Sequence, residues 1–257
     1  MAASPLKACA LITGAARRLG RAIALDLAQS DRRIGVHYNR SEAEALSLVA
    51  EIEALGGRAV ALQANLARIE ELAPLVEACA ERLGPVTCLV NSAACFEEDS
   101  PHNFDAQGWD LHQEVNLRAP VFLTQAFAKA LRANKALPED VEGNVINLID
   151  QKVRALNPHY FSYTIAKSAL WTATKTFAQA LAPRIRVNGI APGPVLPYTG
   201  QSAEDFEREC RDTLLQRAVP IGDITATVRF LLETHSITGQ MIMLDGGRHL
   251  NWRPDPD

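Results

Sequence analysis

The sequence predicts an α/β fold: one doubly wound parallel sheet of seven strands, with helices on both faces, in a single domain over 1–257. Three observations carry this. Short apolar runs alternate with longer amphipathic segments from end to end, the pattern left by successive βαβ units. Gly56, Gly57 and Gly84 fall where the amphipathic segments should stop, as helix ends require. A hydrophobic content of 47% in 257 residues supplies one large core, with no repeat, low-complexity stretch or linker to divide it.

Taken in order, a first strand over 7–13 leads into Thr13-Gly14-Ala15-Ala16-Arg17-Arg18-Leu19-Gly20 and a helix over 21–29. Glycine lets the chain turn off the strand and lets backbone approach a pyrophosphate, which the free N–H groups and positive end of a helix stabilise. Gly14 and Gly20 are the candidates for that work. The second strand, over 33–38, ends in His37-Tyr38-Asn39-Arg40-Ser41. An Asp or Glu that would bind the ribose of NAD is missing there, and Arg40 offers a guanidinium fork for a 2′-phosphate. Ser41 adds a hydroxyl and a potential helix cap. These residue types point to NADPH.

A helix over 41–55, a strand over 58–63, a helix over 69–83 and a strand over 86–91 complete the first half. Strands over 144–149, 184–190 and 240–244 complete the sheet. Tyr163 and Lys167 lie four apart in a helix over 160–181, so both project from one face. An ammonium beside a phenol lowers the cost of the phenolate and makes the tyrosine a better proton donor. The stretch 192–217, with Pro194, Pro197 and Gly200, breaks the alternation and reads as a loop and short helix over a pocket. Residues before the first strand and the tail from Pro254 read as loose.

Net charge is −4, which gives no reason to expect nucleic acid or an anionic membrane as partner. Cys9, Cys79, Cys88, Cys95 and Cys210 are scattered without a Cys-x-x-Cys pair, pointing to a reducing compartment. The opening residues are too short in apolar run for a secretory signal, and no stretch of about 18 apolar residues occurs. A cytoplasmic, soluble protein is expected. The six histidines show no metal-ligand spacing, so no metal is expected.

Together Thr13 to Gly20, Asn116, Tyr163 with Lys167, Pro192-Gly193 and Leu244-Asp245-Gly246-Gly247 resemble the ordered signatures of the short-chain dehydrogenase/reductase family, over about 7–250. The resemblance implies a Rossmann-type sheet, with Tyr163 as the acid and Lys167 on the nicotinamide ribose. It gives Asn116 a backbone kink and a proton-relay water. It further implies cofactor contacts from Leu19, His37, Asn39, Asn65, Leu66, Ser92, Ala93, Pro192 and Gly193, and a homotetramer.

Two departures say more than the agreements. Asp150 stands thirteen residues before Tyr163, where carbonyl-reducing members carry serine. A serine donates to a ketone oxygen, whereas a carboxyl with Tyr163 can pass a proton to a ring nitrogen. Arg18 stands where most members have the middle glycine of the loop, which puts a cation beside the cofactor pyrophosphate and the substrate mouth. Both departures are similar to pteridine reductases and bacterial dihydromonapterin reductases. That resemblance implies a pterin stacked on Phe96 and further contacted by Arg18, Leu196, Asp150 and Tyr163. Ser92-Ala93-Ala94 departs from the family's Asn-Ala-Gly or Asn-Ala-Ser, and Asn65 stands where an acid usually caps the adenine site. The implied activity is NADPH-dependent reduction of a dihydropterin such as dihydromonapterin or dihydrobiopterin, or of dihydrofolate. The alternatives are a ketone or quinone reductase of the same fold and a non-catalytic NADPH or pterin sensor.

Overall fold

The computed structural model describes residues 8–134, 137 and 142–251. Lys7, the segment before it and the tail from Pro254 lie outside them. The chain runs β1 (Cys9–Ile12), α1 (Arg18–Gln29), β2 (Arg33–Tyr38), α2 (Glu42–Ala54), β3 (Ala59–Gln63), α3 (Leu72–Leu83) and β4 (Val86–Asn91). It continues through α4 (Ala106–Gln113), α5 (Ala119–Ala133), β5 (Gly143–Leu148), α6 (Phe161–Leu181), β6 (Ile185–Pro192), α7 (Ala203–Arg211), α8 (Ile221–Glu233) and β7 (Met241–Leu244). The seven strands form one parallel sheet in the order β3-β2-β1-β4-β5-β6-β7.

Both sheet faces are covered, and β1 shows why its residues are all apolar. Ala10 and Ile12 pack with Ile23 and Leu27 of α1, Leu48 and Ile52 of α2, and Ile224 and Val228 of α8. Cys9 and Leu11 point the other way, onto Leu75 of α3, Leu123 and Phe127 of α5, and Leu181 of α6. A strand with period-two side chains and two buried faces has no polar position to spare.

Strand ends fall within two residues of the expected ones, β6 running two residues further than expected. Two helices differ in form. The expected 69–83 helix is a 3₁₀ turn, Ile69–Glu71, followed by α3. Pro74 lacks an N–H and fits only near the start of α3, where that N–H has no intrahelical acceptor. Helix α1 begins at Arg18 rather than residue 21. In 192–217 the expected short helix is α7, its first turn capped by Ser202, which accepts from Asp205 N at 3.1 Å.

The strand order reverses between β1 and β4. In open α/β sheets this is where the loops at the carboxyl ends of the strands part and leave a crevice. The loops after β1, β2 and β3 border it on one side, and those after β4, β5 and β6 on the other.

Candidate active site

Thr13 leaves β1 and ties the two sides together: its Oγ1 accepts from Ser92 N at 3.0 Å and Ala93 N at 3.1 Å. Gly14 follows with φ +65°, and a Cβ there would lie 2.9 Å from Ala93 Cα. A Cβ on Gly20 would lie 2.3 Å from the Gly14 carbonyl oxygen. The loop and the first turn of α1 therefore touch through bare backbone, and any side chain would separate them. Helix α1 has no side-chain cap at Arg17 and no acid in its first turn. Its opening N–H groups have no intrahelical acceptor, so the donor set fits a phosphate or other anion.

His37 was expected among the cofactor contacts. It is 2% exposed and has both ring nitrogens occupied. Nδ1 accepts from Gly14 N at 3.0 Å, which leaves Nε2–H to donate to the Ala64 carbonyl at 3.1 Å. It supports the loop rather than reaching a nucleotide, because no polar ring atom remains. Burial pulls its pKa down from 6.5 to about 4, against a smaller upward pull from the Ala64 bond. The fold thus favours the neutral ring. Stability is complete above the unfolded pKa and is lost as pH falls from about 6.5 towards 4, by about 3 kcal/mol. Urea midpoints at pH 7 and 4.5 should fall less for His37→Gln than for wild type, and equal falls would remove His37 as the cause.

Asn39 and Arg40 are exposed at the end of β2. Ser41 precedes α2 but makes no side-chain cap, so its hydroxyl is not committed to the helix. Asn65 Oδ1 accepts from Ala67 N at 3.0 Å in a local turn. Leu66 is buried in the core, which leaves only its backbone for a ligand. Leu19 is half-buried at the start of α1. Pro192 and Gly193 close β6 against β7, with Gly193 N donating to the Leu244 carbonyl at 2.9 Å.

Across the crevice the Tyr163 hydroxyl donates to Asp150 Oδ2 at 2.9 Å. Asp150 leaves β5 and also accepts from Lys152 N through Oδ1 at 2.8 Å. Lys167, one turn along α6 from Tyr163, donates to the Leu148 carbonyl at 2.7 Å. Burial raises the Asp150 carboxyl above its ordinary range, against the pull of the Lys152 backbone, the Lys152 charge, Tyr163 and Lys167. Burial brings Lys167 down to about 8, with Asp150 opposing.

Tyr163 reverses an expectation. Its pKa is not lowered by the lysine; burial, then the charge and hydrogen bond of Asp150, hold it well above 10. The carboxyl faces the phenol directly, whereas the Lys167 ammonium lies 5.7 Å from the ring centroid. Tyr163 therefore keeps its proton across neutral pH, and Asp150 is the group of the pair that ionises first.

Asn116 is fully buried in a π-helical turn, Glu114–Arg118, between α4 and α5. Its Nδ2 donates to the Cys95 carbonyl and its Oδ1 accepts from Cys95 N, both at 2.9 Å. The expected kink is this turn.

A family model described as enoyl-(acyl carrier protein) reductase matches residues 14–249. The chain belongs to the short-chain dehydrogenase/reductase family. The 3-oxoacyl-(acyl-carrier-protein) reductase of Synechocystis sp. is 31% identical over 248 residues, covering 93% of this chain and 95% of that one. The corresponding FabG of Staphylococcus epidermidis is 32% identical over 246 residues, covering 94% and 98%. Crystal structures of FolM alternative dihydrofolate reductase 1 in complex with NADP, from Brucella canis and Brucella suis, are more similar. Both are 47% identical at a TM-score of 0.91, covering 97% of each chain for the first and 98% and 99% for the second.

Within this family fold the two departures acquire geometry. Arg18 has φ +52°, a left-handed conformation that glycine adopts freely and arginine at a cost of about 1 kcal/mol. Its side chain spans the crevice, donating to the Pro197 carbonyl at 2.7 Å and the Leu196 carbonyl at 3.2 Å. Leu196, expected at the substrate, holds Arg18 through its backbone.

Phe96 does not stand bare. Tyr160 stacks on it at 4.1 Å and 8°, while Tyr163 and Tyr198 meet it edge-on at 4.8 and 5.7 Å. Tyr160 and Tyr198 were missed in the sequence, as was Lys152, whose ammonium lies 4.7 Å from the Tyr160 ring centroid. The four rings form an aromatic box in which Tyr160 covers one face of Phe96.

Proposed function

We propose that the chain is an NADPH-dependent reductase of a dihydropterin or dihydrofolate. The observation that carries this reading is the hydrogen-bonded Asp150–Tyr163 pair, with the Asp150 carboxyl raised by burial. A carboxyl whose pKa is raised by burial, hydrogen-bonded to a phenol that keeps its proton, suits delivery to a ring nitrogen. It suits a ketone poorly, because an ionised Asp150 would repel the oxyanion. The FolM structures, 47% identical and complexed with NADP, support the same substrate class.

The free N–H groups of α1 would hold the cofactor pyrophosphate, Arg40 and Ser41 its 2′-phosphate, and Lys167 its nicotinamide ribose. When bound, NADPH supplies the hydride. Phe96, Tyr160 and Tyr198 orient the pterin plane and exclude water from its face. Tyr163 and Asp150 hold the proton destined for the pterin nitrogen. Arg18 lies between the phosphate end and the substrate loop, within reach of both.

A second reading, reduction of a ketone, is favoured by the 3-oxoacyl relatives at 31% and 32% identity. Steady-state NADPH oxidation separates the two, using dihydromonapterin, dihydrobiopterin, dihydrofolate, a 3-oxoacyl thioester and simple ketones. Turnover of dihydropterins at least ten times faster than any ketone is expected, as is NADPH preferred over NADH. Arg40→Asp should lose that preference, since one charge-assisted contact is worth about 1.5–3 kcal/mol. Equal turnover of ketones and dihydropterins would overturn the substrate assignment, and equal use of NADH the role of Arg40.

A further inference from the structure

The loop after β4 is fixed at every second residue. Cys95 is bonded at both N and O by Asn116. Glu97 N donates to His112 Nε2 at 3.2 Å. The Asp99 carbonyl accepts from Tyr160 N at 2.8 Å, and its carboxylate accepts from Ser162 N at 3.2 Å and from the Ser162 hydroxyl. The anchored residues are 95, 97 and 99. Phe96, between two of them, is left to face the aromatic box.

His112 is the member of this set that can change state. It is 1% exposed in α4, and its ring also meets the Tyr163 ring edge-on at 6.3 Å. Accepting from Glu97 requires Nε2 to be unprotonated, with the ring proton on Nδ1. The titratable groups facing it are Glu97 and Asp99 from the loop and Tyr163 from α6. Burial lowers its pKa, while the Asp99 and Glu97 charges and the Gly108 backbone pull the other way. A protonated ring would present an N–H to the Glu97 N–H and release that anchor.

We propose that neutral His112 is a positioning residue, holding Glu97 so that Phe96 presents its ring to the substrate beside Tyr163. In its kinetic part the proposal rests on the pterin reading above. His112→Leu removes the acceptor, and loss of one buried hydrogen bond predicts a dihydropterin KM raised about five- to ten-fold. Its kcat and NADPH KM should stay within about two-fold of wild type. His112→Gln offers an oxygen near the Nε2 position and should restore KM. The wild-type dihydropterin KM should also rise as pH falls below the ordinary histidine range, and His112→Gln should be flat there.

Hydrogen exchange of the Glu97 amide tests the anchor without any substrate. Exchange should quicken at least about ten-fold in His112→Leu and return towards wild type in His112→Gln. A Glu97 amide as protected in His112→Leu as in wild type overturns the proposal, as does an unchanged KM in a substrate that the wild type turns over. If wild type reduces no dihydropterin, the pterin reading fails and the exchange measurement still decides the anchor. Should His112→Leu not fold, the comparison passes to wild type and His112→Gln. Glu97 exchange that accelerates in acid, beyond the intrinsic change, only in wild type supports the anchor, and equal behaviour overturns it.

Discussion

Asp150→Ser should lower dihydropterin turnover by about 10²-fold or more while leaving NADPH binding nearly intact, the loss usual for a removed acid–base group. The physical reason lies in how the buried groups hold one another. Asp150 raises Tyr163 through its charge and hydrogen bond and raises Lys167 through its charge. Without the carboxylate, burial still raises Tyr163 but the contribution of Asp150 is gone, so the phenol becomes a better acid for a ketone oxygen than in wild type. Lys167, already at about 8, falls further and loses its charge at lower pH. The variant should therefore gain weak ketone reduction and lose activity on the alkaline side earlier than wild type. On the proposed mechanism the wild-type carboxyl must be protonated to deliver its proton, so activity should fall as pH rises through its raised pKa. That limb should change in the variant. Rates across pH 5–9 with a dihydropterin and a ketone decide the matter, and a serine variant matching wild type on dihydropterin at every pH would reduce Asp150 to a turn residue.

Tyr163→Phe should reduce turnover by about 10²–10⁴-fold with little change in NADPH affinity. The phenylalanine fills the same volume against Phe96 and His112, so packing is retained. What is lost is the 2.9 Å donor to Asp150. Since that donor lowers the Asp150 pKa, the carboxyl should rise further in the variant, and any residual activity should persist to higher pH. Titrating NADPH binding by fluorescence and measuring kcat separates the two effects. Near wild-type turnover would mean that Asp150 and water suffice as donor.

The fold was legible because each strand carries its own evidence: β1 is apolar on both faces, and a glycine loop follows directly. The Tyr163–Lys167 pair was legible because helical period alone puts residues four apart on one face. Arg18 could be suspected because a non-glycine residue occupied a glycine position, and its φ of +52° shows what the position demands.

Contacts made across long stretches of chain were not legible. His37 reads as a cofactor residue until Gly14 and Ala64, 23 and 27 residues away, take both its nitrogens. Nothing local to Phe96 announces Tyr160 or Tyr198. The sign of the Tyr163 shift was also hidden, because spacing reports which charge is near in sequence. It does not report how deeply the phenol is buried or that a carboxylate lies nearer than the lysine.

The reversal of strand order between β1 and β4 has a consequence for how such a molecule can change. Arg40 sits at the tip of β2 and Asp150 at the tip of β5, on opposite sides of the crevice and without a shared partner among the described hydrogen bonds. Energetic effects of distant residues that share no partner add. With the roles proposed for Arg40 and Asp150, cofactor choice and substrate chemistry become separable inheritances, each free to drift without disturbing the other. Arg18 is the seam between them: rooted in the nucleotide loop and bonded to Leu196 and Pro197, it makes any change at its position felt by both halves at once.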